Sequence, residues 1–262
     1  GVQKLSSLHV LFGDAADWVA CDAAGLMQRQ QVQFHWHNAH PAEGRAFHGF
    51  DDFLASLAQD KRKKIRQERR KVGAAGVTFR WARGADIAPA DWAFFYRCYE
   101  RTYLEHGNAP YLTPAFFDAM ARDMADAWVL FIAERDGQPI ASSLIAVGAC
   151  LAIAGGLNGS QTVAYGRYWG ALQRVDCLHF ELCYYQPIDW CIRHGVGRFE
   201  GGAQGEHKMA RALMPVATHS AHWLAHPAFA DAVQRFLTRE SVGIGDYLQH
   251  LDERSPFRRG AG

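Results

Sequence analysis

A glycine-rich stretch late in the chain carries the densest set of groups that can do chemistry. It reads FEGGAQGEHKMARALMPVATHSAHW and spans residues 199–223. Glu206 and His207 can each act as a general base toward an amine or hydroxyl. Lys208 and Arg211 are cations that can pair with an anion. This combination predicts the rim of a transfer site; a solvated glycine-rich connection is the alternative.

The glycines of this stretch supply a second kind of binding group. Gly201, Gly202 and Gly205 allow tight turns and leave backbone N–H groups unobstructed. Such N–H groups bind phosphates, carboxylates or oxyanions. We expect Gln204, which lies between them, to contact substrate as well.

Glu200 directly follows an apolar strand, so we expect it to be partly buried. Burial raises the pKa of a carboxyl, which suits a catalytic base. A structural ion pair with Arg198 or Arg211 is the alternative for Glu200.

A basic segment, DKRKKIRQERRK (60–71), holds eight basic and two acidic residues, a local charge of +6. Since the whole chain carries +1, the rest carries −5. The segment is either a solvated helix face or a surface for a phosphate-bearing partner, such as a CoA tail, a tRNA or a nucleotide-linked sugar. It lacks interleaved aromatic residues, so sequence-specific RNA reading is not supported. The residues expected to hold donor phosphates are Lys64, Arg66, Arg69 and Arg70.

Three further residues are candidates for lining a cleft. YGRYWG (165–170) alternates like a strand, and Arg167 has no acidic neighbour in sequence, so we expect it to face the cleft. Glu181 and Tyr185 lie one helical turn apart and share a face that can line the same cleft. Packing at the edge of the core is the alternative for Tyr185.

Composition argues against several classes of protein. Hydrophobic residues make up 49% of the 262 positions, which argues against disorder, and the net charge of +1 does not point to nucleic acid. Thirteen histidines are present, but His219 and His222 fall on opposite faces of a strand, so no metal site is expected. The six cysteines form no C-x-x-C pair, which predicts reduced thiols and a cytoplasmic location. The uncharged segment 137–166 is rich in glycine and alanine, which favours a buried hairpin over a membrane span.

The predicted elements form one α+β domain with a mixed sheet. Helices are expected over 50–71, 87–104, 113–124, 179–194 and 228–251, with Pro187 causing an irregularity. Strands are expected over 6–12, 27–36, 77–82, 128–135, 139–147, 150–156, 165–172, 196–202 and 219–225.

Four motifs carry a resemblance to a known family: KRKKIRQERRKV (61–72), YGRYWGAL (165–172), HFELCYYQPIDW (179–190) and the stretch 199–223. Together they resemble the FemAB-like family of peptidoglycan biosynthesis or recognition, within the GNAT (acyl-CoA N-acyltransferase) superfamily. The resemblance covers nearly the whole chain. It implies a GNAT-like fold, a mixed and mostly antiparallel sheet with helices on both faces. It also implies that residues 1–262 form one domain of a longer, two-lobed bacterial protein.

The resemblance implies acyl or aminoacyl transfer to an amine, with a cell-wall precursor as a candidate acceptor. Acyl-CoA and aminoacyl-tRNA both remain open as the co-substrate, with no tightly bound cofactor and no metal. GNAT enzymes that bind CoA usually carry a glycine-rich pyrophosphate loop, whereas the corresponding segment 173–183 has no glycine. A non-catalytic module that binds cell-wall precursors or RNA is the alternative function.

Overall fold

The computed structural model describes residues 5–150, 161–203, 205–252 and 255–258. Its strands are β1 (Ser7–Gly13), β2 (Met27–His37), β3 (Val77–Arg83), β4 (Trp128–Arg135), β5 (Gln138–Cys150), β6 (Gln161–Ala171), β7 (Arg198–Glu200) and β8 (Met214–Leu224). They form one sheet in the order β1-β8-β2-β7-β6-β5-β4-β3. The pairing is antiparallel except between β6 and β7, which run parallel.

The helices are α1 (Ala15–Ala23), α2 (Phe50–Ser56), α3 (Gln59–Ala74), α4 (Pro89–Glu105), α5 (Pro114–Asp123), α6 (Leu178–Phe180), α7 (Gln186–Arg193) and α8 (Pro227–Asp252). A π-helical turn, Glu181–Tyr185, joins α6 to α7, so these three form one continuous helix. The turn ends next to Pro187, which lacks an N–H and cannot continue a regular α-helical ladder. The predicted irregularity at Pro187 is therefore confirmed.

The sheet has a hydrophobic core on each face, and β4 shows why. Alternate side chains of a strand point to opposite faces, and β4 is apolar at every position from Trp128 to Ala133. Leu130 and Ile132 pack in a cluster with α4 and α5, whereas Val129 and Phe131 pack in a cluster with α2, α3 and α7. We call these two sides of the sheet the α4 face and the α3 face. Helices on both faces of a mixed, mostly antiparallel sheet confirm the predicted fold class.

Two helices differ from the sequence prediction. The helix expected over 50–71 is broken between α2 and α3, where Leu57 is extended and the Ala58 N–H donates to Pro256 O at 2.9 Å. The backbone there pairs with the C-terminal segment instead of continuing the helix. The sequence analysis missed α1, although Asp14 and Asp17 form a capping box at its start.

The uncharged segment forms the antiparallel pair of β5 and β6 as far as Cys150 and from Gln161 onward. The strand predicted over 150–156 lies largely outside the described residues. Within the described part of the chain, no helix has both the length and the hydropathy to cross a lipid bilayer.

Candidate active site

A cavity opens where the two parallel strands separate. β6 and β7 pair at three positions, ending with Tyr165 opposite Glu200. Beyond this point Gly201 N–H donates to Phe34 O at 2.8 Å, and Phe34 N–H donates to Gly202 O at 3.1 Å. The chain therefore turns toward β2 and leaves this edge of β6 without a strand partner. A crevice at the carboxyl ends of parallel strands is a common ligand site.

The cavity has a volume of about 140 Å³. Its lining residues are Ser143, Gly166, Arg167, Tyr168, Trp169, His179, Cys183, Tyr184, Phe199 and Gly201. Four come from β6, three from the helix that begins with α6, two from the end of β7 and one from β5.

A bulge in β6 brings Arg167 to the cavity. Leu144 of β5 lies opposite Tyr168, and the next residue, Ile145, lies opposite Gly166. Arg167 is thus the extra residue, and a bulge of this kind redirects a side chain at the edge of a site. The prediction that Arg167 faces a cleft agrees with this position.

The helical wall of the cavity is formed by His179, Cys183 and Tyr184. Burial, with the charges of His207 and Arg211 nearby, lowers the pKa of His179 to about 4, so its imidazole is neutral at pH 7. Burial raises the pKa of the Cys183 thiol to about 12, so it is protonated. Burial also raises the pKa of Tyr184 above its usual range. The wall therefore presents uncharged groups that can donate hydrogen bonds.

Lys208 lies directly behind the cavity wall. Its ammonium is buried and donates to the carbonyl oxygens of Gly201 and Gly202, the latter at 3.2 Å. Burial lowers its pKa to about 8. Lys208 thereby fixes the backbone turn that separates β7 from β6, rather than projecting as a free cation.

His207 lies near the cavity but does not line it. Its Nε2 is 3.4 Å from the Tyr184 hydroxyl, and its ring lies 5.9 Å from that of Phe180. Burial first, then the charges of Arg211, Lys208 and Lys64, lower its pKa, so the imidazole is neutral at pH 7. His207 can accept a proton, and its route to the cavity runs through Tyr184.

Glu200 follows the cavity-lining Phe199, but its side chain lies on the α4 face and does not line the cavity. Glu200 pairs with Tyr165 of β6, and Tyr165 pairs with Ala146 of β5. Ala146 packs against the cluster that contains α4, so Glu200 and its other neighbour, His35 of β2, lie on the α4 face. Arg198 Nη2 is 2.9 Å from Glu200 Oε1. Burial raises the pKa of Glu200, and the charge of Arg198 opposes this rise. The sequence left two arginines open as ion-pair partners of Glu200, Arg198 and Arg211, and the structure forms the pair with Arg198.

Arg211 is buried in an ion pair and is not free to bind a substrate anion. It is 1% exposed, and its Nη2 donates to both carboxylate oxygens of Glu68 at 2.8 and 2.9 Å. The Tyr185 hydroxyl donates to the same carboxylate. Arg211 Nη1 donates to His207 O at 2.7 Å, and the guanidinium lies 3.6 Å from the Phe180 ring centre. Arg211 thus ties the loop that carries His207 to α3.

Glu181 and Tyr185 do not line the cavity, contrary to the expectation from their shared face. Both are buried against α3, where Arg69 Nη2 is 3.1 Å from Glu181 Oε1 and Gln186 Nε2 donates to the same oxygen at 2.7 Å. Arg69 also lies 4.6 Å from the Phe50 ring centre. The predicted phosphate contact of Arg69 therefore competes with a structural ion pair.

The remaining basic residues of α3 divide between two sides of the helix. Lys64 is exposed and acts on the pKa of His207, so it faces the loop beside the cavity. A shallow groove of about 330 Å³ lies along another side of α3. Its lining residues are Gln59, Arg62, Lys63, Arg66 and Arg70. The structure thus separates Lys64 from Arg66 and Arg70.

Of the predicted site residues, two line the cavity, Arg167 and Gly201, and four lie close to it without lining it, Glu200, Gly202, His207 and Lys208. Gln204 lies outside the described residues; Glu206 begins a 3₁₀ turn, and its side chain is likewise outside them. Sequence reasoning missed Ser143, His179, Cys183 and Tyr184. A signal existed, because residues 179 and 183 are spaced by one helical turn. Among the described residues, no group of three metal-ligating side chains could hold an ion.

Comparison with known proteins gives one match over nearly the full chain. Residues 2–259 match the model of the FemAB-like family, described as peptidoglycan biosynthesis/recognition. None of the curated proteins compared with the chain matches it.

Solved structures resemble the chain in fold at low identity. One is the C-terminal domain of an Agrobacterium fabrum protein assigned as a lysylphosphatidylglycerol synthetase. It has a TM-score of 0.54 and 12% identity and covers 88% of this chain and 71% of its own. L-PGS from Bacillus licheniformis has a TM-score of 0.55 and 10% identity, covering 86% of this chain and 70% of its own. FemX has a TM-score of 0.48 and 9% identity, covering 78% of this chain and 64% of its own.

Proposed function

Because the chain belongs to the FemAB-like family, we propose that it transfers an acyl or aminoacyl group from a phosphate-bearing donor to an amine acceptor. The observation that carries the proposal is the cavity at the separated ends of β6 and β7, with the lining residue Arg167 close enough to act on a neighbouring carboxylate of raised pKa, Glu200. A carboxylate that is a stronger base than usual suits proton removal from an ammonium group.

In this reaction Glu200 accepts a proton from the acceptor ammonium, directly or through one water. The freed amine attacks the carbonyl carbon of the donor ester or thioester, and the carbonyl oxygen takes the electron pair. Backbone N–H groups on the unpaired edge of β6 stabilise that oxyanion. Its collapse breaks the bond to the leaving oxygen or sulfur, which takes a proton from Tyr184. The Tyr184 hydroxyl is suited to this step because burial keeps it protonated. The attacking nitrogen gives its second proton to the tyrosinate, directly or through one water, which restores Tyr184 and leaves a neutral amide.

Donor phosphates are assigned to α3. Lys64 lies on the side of α3 nearest the cavity, and Arg66 and Arg70 line the groove on another side. Arg69 is left out because it is paired with the buried Glu181. Acyl-CoA and aminoacyl-tRNA both supply phosphates, and the helix does not discriminate between them. The family description, peptidoglycan biosynthesis/recognition, supports a peptidoglycan precursor as the acceptor.

The test is a transfer assay with the purified chain. Acetyl-CoA and alanyl-tRNA are each offered with a UDP-linked muropeptide, and the acylated product is measured by mass spectrometry. Glu200→Gln is expected to lose transfer by at least a hundredfold, the lower limit for a general base. Glu105→Gln, the same substitution in an exposed ion pair on α4, is the matched control and should retain full rate.

Transfer by Glu200→Gln at the wild-type rate would refute the role of Glu200. Binding of the muropeptide or tRNA without turnover for either donor would refute the transferase and favour a binding module. Reversing Arg66 and Arg70 to Glu should weaken donor binding; unchanged donor affinity would refute the assignment to α3.

A further inference from the structure

Glu200 and Arg198 form an ion pair on the α4 face, next to Arg167, which lines the cavity. This group of three, here called the rim, carries more positive than negative charge. Two guanidinium groups, Arg198 and Arg167, both act on the pKa of Glu200. Glu200 is the one carboxylate within ion-pair distance of either guanidinium in the described part of the chain. The three groups therefore carry a net charge of +1.

The neighbouring histidines do not add to this charge. His35 Nε2 lies 3.8 Å from Glu200 Oε2 and 3.2 Å from Gln33 Oε1. Burial, then the charges of Arg198 and His37, lower its pKa to about 4. Burial, then the charge of Arg198, also lowers the pKa of His37. Both imidazoles are neutral at pH 7, so the net charge at the rim stays at +1.

Both arginines have hydrogen-bonding capacity left over. Arg198 uses Nη2 on Glu200, while its Nε is buried and has no hydrogen-bond partner among the described residues. Arg167 is exposed, lies 5.4 Å from the Tyr165 ring centre, and makes no ion pair in the described ranges. A guanidinium offers several donors in a fork that suits carboxylate and phosphate oxygens.

A simple amine is a poor match for this rim. It arrives as an ammonium ion, so its charge is repelled by a site that already carries +1. An anionic group close to the ammonium removes this repulsion, since the acceptor is then a zwitterion. The ammonium can face Glu200 while the anion takes the unused donors of the arginines.

We infer that the acceptor amine carries an anionic group, a carboxylate or a phosphate, a few bonds away, and that Arg167 and Arg198 bind that group. This inference rests on the proposed transfer to an amine and specifies its acceptor class. The free α-amino end of an amino acid and a phosphoethanolamine head group share the required chemistry.

Binding of matched probe pairs to the intact chain tests the inference without a donor. The pairs are L-alanine with L-alaninamide, and O-phosphoethanolamine with ethanolamine, each titrated by ligand-observed NMR. The anionic member of at least one pair should bind about tenfold tighter or better, as expected for charge-assisted hydrogen bonds. Preference within the first pair identifies a carboxylate as the bound anion, and preference within the second identifies a phosphate.

Arg167→Gln should reduce that preference to about one. Because Arg167 is exposed, this variant should fold, whereas Arg198→Gln also removes the partner of Glu200. Arg193→Gln, which replaces an exposed arginine paired with Asp189 on α7, is the control and should keep the preference. Equal affinities within both pairs, or a preference that survives Arg167→Gln, would overturn the inference.

The inference and the proposed function fail in different ways. If amines that lack the anion are acylated as fast as those that carry it, the acceptor class is wrong and transfer stands. If no donor acylates any amine while the binding preference persists, the transferase is wrong and the anion site stands.

Discussion

Glu68 is the residue whose replacement tests the architecture of the site most directly. It lies on the basic helix α3, yet its side chain is only 9% exposed and pairs with Arg211, whose side chain is 2% exposed. The same carboxylate accepts a hydrogen bond from the hydroxyl of Tyr185. Glu68→Gln keeps the size of the side chain and removes its charge, so it leaves a buried guanidinium without a counterion.

The magnitude follows from the burial of the pair. Removing one partner of a buried ion pair costs about 3–5 kcal/mol. Arg211 keeps its bond to His207 O and its contact with Phe180, so we expect the lower end, about 3 kcal/mol. For a chain of this size that corresponds to a fall in Tm of roughly 6–12 °C.

Urea unfolding followed by circular dichroism measures this loss. Glu105→Gln is the matched control, because Glu105 and its partner Arg101 are 57% and 53% exposed. An exposed pair contributes about 0–1 kcal/mol. If Glu68→Gln is no less stable than Glu105→Gln, the reasoning is refuted. Adding Arg211→Met to Glu68→Gln should recover part of the loss, because the unpaired charge is then gone.

Other predictions concern single groups. Burial holds the folded-state pKa of Lys208 at about 8, below its ordinary value of 10.5, so the unfolded chain binds more protons between these values. The free energy of unfolding should therefore rise with pH across that window relative to Lys208→Met, and a parallel pH dependence of the two proteins would contradict this. Gly170→Ala should destabilise by about 1–3 kcal/mol or more, because its Cβ would lie 2.0 Å from a backbone oxygen of α4. Gly73→Ala, where the new Cβ meets nothing within 4 Å, should be neutral or stabilising in the same denaturation assay. In the pH profile of the transfer rate, the acid limb should lie above the usual range of a carboxyl pKa and should depend on Glu200. His207→Ala should retain that limb, and its loss in this variant would instead make His207 the base.

Local sequence patterns predicted most of the fold. Thr113 followed by Pro114 marks the start of α5, and the alternation of residues 27–36 marks β2. These signals succeed because caps and hydrophobic periodicity act over a few residues. The break at Leu57 was missed because its cause is a hydrogen bond to Pro256, about two hundred positions away.

The candidate site was predicted in part, and the errors have a common origin. The stretch 199–223 does meet the cavity, but which of its cations is free depends on long-range partners. Arg211 is neutralised by Glu68 and Glu181 by Arg69, and both pairs join segments more than one hundred residues apart. The helix face that lines the cavity is set in the same way. Glu181 forms an ion pair with Arg69 of α3 and Tyr185 donates a hydrogen bond to Glu68 of α3, which leaves His179 and Cys183 toward the cavity. No local pattern contains these pairings.

The two candidate bases differ in position more than in charge state. Burial lowers the pKa of His207 and raises the pKa of Glu200, so each is a candidate proton acceptor. A base must reach the acceptor nitrogen directly or through one water. Arg167, which lines the cavity, acts on the pKa of Glu200, whereas His207 reaches the cavity through the Tyr184 hydroxyl. Position therefore assigns proton removal from the amine to Glu200.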